Sequence, residues 1–117
     1  MSPGLGPRTP DPVSRASLRA WLAAREPSPP QALATRLAEC VDAAPEEVLA
    51  GDAGSEVLGA LGAWLLEQAV HGRRGAYDAA LDLLAADAFV TYAFEAASEE
   101  GADVADLANG LLSRVSA

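Results

Sequence analysis

Residues 76–100, AYDAALDLLAADAFVTYAFEAASEE, form the longest stretch of this chain without Gly or Pro, and every residue in it suits a helix. On a 3.6-residue wheel the stretch shows two apolar strips. Tyr77, Leu81, Leu84, Ala88 and Tyr92 make the first; Leu83, Val90, Phe94 and Ala97 make the second. A thin polar seam of Asp87, Thr91 and Ser98 runs between them. From Leu83 to Phe94 the only charged side chain is Asp87. A helix that is apolar on more than one side sits among neighbours at the centre of a bundle. The pattern predicts an all-α fold, a compact bundle of four or five helices with 76–100 at its centre.

Composition supports the same class. Half of the 117 residues are apolar, but only six are aromatic and none is Ile, so Ala fills much of the apolar quota. Strands favour β-branched and aromatic side chains, whereas Ala favours closely packed helices. The length allows one modest core, and the chain divides into a Pro/Gly-rich tail over 1–12 and a single helical domain over 13–117. The tail, MSPGLGPRTPDP, holds four Pro and two Gly and cannot sustain a helix.

The net charge of −9, with no Lys, argues against nucleic acid as the main partner. Charge is uneven along the chain. Residues 1–36 hold five Arg against Asp11 and Glu26, a net of +3; residues 37–117 hold three Arg against fifteen carboxylates, a net of −12. The simplest expectation is that the basic front lies against the acidic body; a basic hook for another protein is the alternative. No apolar run is long enough to cross a bilayer, and the N-terminus has no signal-peptide core, so a cytoplasmic, membrane-free setting is expected. The single Cys40 falls among Leu33, Leu37 and Val41, as a buried small apolar residue would, and suits a reducing compartment.

Punctuation marks out the other helices. Ser14 is placed to cap a first helix with Leu18, Trp21, Leu22 and Arg25 on its face. Pro27, Pro29 and Pro30 force an extended connection, and a second helix starts at Pro30 or Gln31 with the stripe Leu33, Leu37, Cys40, Val41 and Ala44. Pro45, Glu46 and Glu47 suit the first turn of a short helix over 45–50. Ser55 is expected to cap a third helix with Val57, Leu58, Leu61, Trp64, Leu65 and Ala69 inward, and Gly59 and Gly62 would let another helix come close. After a connector of five residues, 71–75, the third and fourth helices should pair antiparallel. Gly101 stops the fourth, and Asp103 can cap a fifth with Val104, Leu107, Ala108, Leu111, Leu112 and Val115 inward.

Chemistry is sparse. Asp87, in an apolar stretch, would carry a desolvation cost unless paired, with Arg25, Arg36 or Arg114 as partners, and with Thr91 one turn on and Tyr92 it makes a candidate buried polar or ligand site. Glu67 and His71 stand one turn apart but supply two ligands where zinc needs three or four. The Arg73–Arg74 doublet complements a helix C-terminus and is a candidate grip on a partner's carboxylate or phosphate. Phe89 falls on the Ala-rich, acidic side of the central helix, with Asp78, Asp82 and Glu100, and is a candidate contact with another molecule. Phosphate loops, dinucleotide fingerprints, Cys pairs and catalytic triads are missing, so no catalytic, cofactor or metal residue is assigned.

Residues 86–95, ADAFVTYAFE, resemble a helix of the trans-prenyl diphosphate synthases that reads G-D-x-L-L-x-x-A-F-E, and Arg73-Arg74-Gly75 echoes the R-R-G before it. The aspartate-rich D-D-x-x-D motif that would hold magnesium is missing, and the chain is less than half the length of such enzymes. The resemblance therefore implies an all-α bundle and no site. Two functions are expected from the sequence: a non-enzymatic module that associates with another protein or with itself, or a small-ligand binder or minor enzyme with a pocket around Asp87, Thr91 and Tyr92.

Overall fold

The computed structural model describes residues 13–72, 75–101 and 103–116, and the expected tail over 1–12 lies outside them. Among the described residues there are five α-helices, one short 3-10 turn and no strand. Helix α1 spans Arg15–Ala23, α2 Gln31–Ala43, α3 Gly54–His71, α4 Ala76–Glu100 and α5 Val104–Ser116, with the turn at Glu46–Leu49. The all-α bundle and its central helix over 76–100 are as the periodicity predicts.

Local chemistry explains most boundaries. The Ser14 hydroxyl accepts from the Ser17 amide at 3.0 Å while the Ser17 hydroxyl accepts from the Ser14 amide at 3.1 Å, a reciprocal cap on α1. Pro30 precedes α2, whose Leu37, Cys40 and Val41 are buried. Gly101, at φ 72°, takes the left-handed conformation that ends α4, and the Asp103 carboxylate accepts from the Ala105 amide at 2.8 Å to start α5.

The start of α3 differs from expectation. The helix begins one residue before Ser55, and Ser55 is buried instead of capping it. Its amide and hydroxyl both donate to the Glu100 carboxylate, at 3.2 and 2.6 Å. The last residue of α4 thus caps the first turn of α3, placing a negative charge at the positive end of the helix dipole. It also fixes the two helices as antiparallel neighbours.

Their packing rests on small residues. A Cβ added at Gly62 would stand 2.8 Å from Val90 Cγ2 and 3.2 Å from the Ala86 carbonyl oxygen, so α4 lies against bare α3 backbone there. Gly59 faces α5 instead, where an added Cβ would stand 2.6 Å from Leu111 Cδ2. The face of α4 turned to α3 carries Ala85, Ala86, Phe89, Ala93, Ala96 and Ala97, all buried, with Phe89 wholly enclosed among Leu58, Leu61, Leu65 and their neighbours in the core.

This orientation corrects two expectations. Phe89 has no exposed surface and cannot act as a contact for another molecule. The side of α4 read as acidic and as a contact surface is its deepest face, because five alanines let α3 approach and Asp82 and Glu100 are hydrogen-bonded within the chain. Asp82 is the buried carboxylate, at 1% exposure, and it accepts from Arg36 Nε of α2 at 2.6 Å. Asp87 is exposed, so the buried carboxylate lies five residues before the expected one. The two apolar strips flank the Ala face: one meets α1 and α2 through Tyr92, Ala88 and their neighbours, the other turns toward α5.

The basic front does lie on the acidic body. Arg15 pairs with Glu46 at 2.7 Å, Arg19 with Asp42, Arg25 with Glu99 at 2.9 Å and Arg36 with Asp82 and Glu39. All four described Arg of residues 13–36 are engaged within the chain.

Two substitutions test this packing. Gly62→Ala should destabilise by about 1–3 kcal/mol through overpacking, against the ~1 kcal/mol by which Ala is the better helix former. Gly110→Ala, where nothing lies within 4 Å, should instead stabilise by roughly 0.5–1 kcal/mol. Urea midpoints that move the same way for both would contradict the close approach. Arg36→Met should cost about 3–5 kcal/mol by withdrawing the guanidinium from a buried carboxylate, and adding Asp82→Leu should restore most of it. A double-mutant cycle with no coupling would remove the pair from the account.

Candidate interaction groove

The second apolar strip of α4 is only partly covered. Helix α5 has 13 residues against the 25 of α4, and no α5 side chain is among the buried core residues. Its Leu107, Ala108 and Leu111 are half-buried, with Leu111 seated over Gly59. Leu112 and Val115, on the same helix, are 63% and 57% exposed. The expected inner face of α5 is therefore split, one part against α3 and one part facing water.

Between the three helices lies a groove of about 520 Å³. Gly62, Ala63 and Leu66 of α3 form its floor, and Leu83, Val90 and Phe94 of α4 form one wall. Leu111, Leu112 and Val115 of α5 form the other. Leu83 is 47% exposed at one end, while Val90 and Phe94 are half-buried. Asp87 is the only charged residue of the lining. The physical origin is simple: Gly62 draws α4 onto α3 at Val90, and α5 is too short and too loosely seated to fill the remaining angle between them.

The residues singled out from the sequence do not converge here. Asp87 stands in the groove lining but is exposed, and Thr91, one turn on, is exposed as well. Tyr92 is on the opposite flank of α4, its ring edge-on to Trp21 of α1 at 5.9 Å and 81°. The three therefore do not form one polar site. Arg73 and Arg74 lie outside the described residues. Glu67 and His71 are both exposed, and among the described residues no three His, Cys, Asp or Glu side chains stand together as a metal site. No helix among the described residues is long and apolar enough to cross a membrane.

Buried polar groups elsewhere serve the fold. Among the described residues no buried side-chain nitrogen or oxygen lacks a hydrogen-bond partner. The richest cluster joins α1 to the end of α4. Arg25 stacks on the Trp21 ring with its guanidinium carbon 3.6 Å from the centroid, and Glu99 accepts from Arg25 at 2.9 Å and from the Trp21 indole at 3.2 Å. The Arg25 hydrogen bond, and then the indole's, hold the Glu99 carboxyl below the usual carboxylate range. Burial, and then the charge of Glu95, push the Tyr92 phenol up against the opposing pull of Arg25.

The sequence does not show the groove because its walls come from three helices: Leu83, Val90 and Phe94 share a strip of α4 and Leu111, Leu112 and Val115 a face of α5, but nothing in the sequence says that the two face each other across Gly62. The available signal was an amphipathic α5 with more apolar positions than one neighbour can cover. The Glu99 cluster yields a pH prediction. A carboxylate whose folded pKa is depressed stabilises the fold above its unfolded pKa, and that contribution is lost as pH falls through the folded value. Glu99 should accordingly titrate below an ordinary Glu in an NMR pH series, and Arg25→Met should return it toward the ordinary midpoint. An unchanged midpoint in that variant would show that Arg25 is not the cause.

Comparison with protein-family models, with curated proteins and with solved structures gives no match for this chain.

Proposed function

We propose that this protein is a non-enzymatic association module that receives an amphipathic helix of another protein in the groove between α3, α4 and α5. The observation behind the reading is the partly exposed apolar walls of Leu83, Leu112 and Val115 on a chain whose buried polar side chains, among the described residues, are all hydrogen-bonded. Contiguous exposed apolar surface of this kind marks interaction sites. Three helices with one angle left open offer a place for a fourth, and helix-in-groove recognition needs only anchors at i, i+3 or i+4, and i+7.

A second reading, an apolar small ligand, moves from Asp87, Thr91 and Tyr92 into the same groove, whose volume falls in the range of about 300–1,000 Å³ typical of small-molecule sites. Such sites bury roughly 70–90% of their ligand. Walls as exposed as Leu112 and Val115 leave one side of an occupant in water, which suits a helix with a polar back.

The test is a titration of the isotope-labelled protein with a synthetic amphipathic helical peptide. Amide shifts are expected at Gly62, Leu66, Leu83, Phe94 and Leu111, with at least tenfold weaker binding to Leu83→Glu and Leu112→Glu, both at exposed positions. Shifts confined to other surfaces, or binding unaffected by either variant, would refute the groove.

A further inference from the structure

The charge around the groove says which helix it takes. Resting on the groove as the association surface, we infer that its occupant is an amphipathic helix with Lys or Arg flanking the apolar stripe, and not a second copy of this chain.

The three helices that wall the groove carry nine carboxylates against one Arg, Arg114, and of the nine Asp82, Glu95, Glu99 and Glu100 are engaged elsewhere in the fold while Asp87 lines the groove. Arg114 does not offset the groove. It faces a separate depression on the other side of α5, together with Glu56, Glu100, Asp103 and Asp106. In the groove itself Asp87 lines the α4 wall, and Glu67, next to the floor residue Leu66, is exposed on α3. Among the described residues, no Arg lines the groove. The four Arg of residues 13–36 are already paired with Glu46, Asp42, Glu99 and Asp82 on the other flank, so none is left to turn toward this one.

Two consequences follow for an incoming helix. Basic residues beside its apolar stripe would meet Asp87 in the α4 wall, where charge sets orientation and speeds encounter. A second copy would bring its own net charge of −9 and the same acidic rim, and like charges across an interface oppose association. The length also fits a helix. From Leu83 to Phe94 the α4 wall runs about 16 Å at ~1.5 Å per residue, room for three turns and three or four anchors.

The experiment uses the full chain and two synthetic helical peptides with identical apolar stripes, one flanked by Lys and Arg, the other by Glu. The basic peptide is expected to bind at least tenfold more tightly in low salt, and to lose most of that advantage between 50 mM and 500 mM salt as screening shortens. Asp87→Asn, at an exposed position, should weaken the basic peptide several-fold and leave the acidic one unchanged. Equal affinities for the two peptides, or no effect of Asp87→Asn, would overturn the charge assignment while the groove reading survives. Failure of both peptides to shift groove residues would overturn this inference together with the reading beneath it. Sedimentation across a concentration series is the third arm. A monomer throughout supports the assignment; a dimer broken by Leu83→Glu and Leu112→Glu would make a second copy the occupant and refute it.

Discussion

The close approach of α3 and α4 is the constraint on which the rest of the molecule depends. Gly62 meets Val90 and the Ala86 backbone with no room for a methyl, and the alanines of α4 continue that contact along the helix. Helices this close leave space for few large side chains between them, and Phe89 is the one wholly enclosed aromatic. Its ring reaches among leucines of α3 and so fixes the rotation of α4 about its own axis. Once that rotation is set, α1 and α2 fall on one flank of α4, α5 on the other, and water over Tyr77, Leu84, Asp87, Thr91 and Ser98.

Charge then settles which elements dock on the first flank. Buried carboxylates are tolerated only when paired. Asp82 on the innermost face of α4 obliges a cation to come with the covering helix, and Arg36 of α2 supplies it. At the far end Arg25 and Trp21 of α1 clasp Glu99. Glu100, turned the other way, caps α3. Two neighbouring glutamates at one helix end thus tie it to two different helices, which is why the acidic C-terminus of α4 tolerates charges that its dipole disfavours.

Helix boundaries were legible because they are set locally, by Ser14, Pro30, Gly101 and Asp103 acting on residues within a turn. The rotation of α4 was not. A wheel weighs side chains by hydrophobicity, and on that scale Ala85, Ala86, Ala93 and Ala96 count for little beside Leu83, Leu84 or Tyr77. Packing reverses the ranking, since small residues permit the closest contact and so become the deepest. Leu84 and Tyr77 are in fact exposed. The same ranking favours Asp87, set among large apolar side chains, over Asp82 as the buried carboxylate. Arg36, 46 residues earlier in the chain, supplies Asp82 with a cation, and that long-range pairing is not visible from the local sequence. Of the candidate site, the strip Leu83, Val90 and Phe94 was visible as apolar; that α5 leaves it half-open depends on tertiary fit.

The two flanks of α4 therefore differ in kind. On the first, apolar contact and ion pairs act together, and α1 and α2 bring side chains such as Leu18, Leu22 and Leu37 to burial. On the second, α5 offers apolar contact with no ion pair to either neighbour among the described residues, and none of its side chains reaches full burial. Without charges to set its register, α5 is positioned by Leu111 over Gly59 and by its tether at Gly101. An apolar surface left half-covered beside an acidic rim is a poor end state for a closed bundle, because its cost in water is offset by nothing within the chain. It is a suitable starting state for one that is completed from outside. On this view the Asp87 that failed as a buried site is consistent with its place in the lining: a carboxylate that stays hydrated keeps the neighbouring apolar wall accessible and gives an arriving cation something to meet.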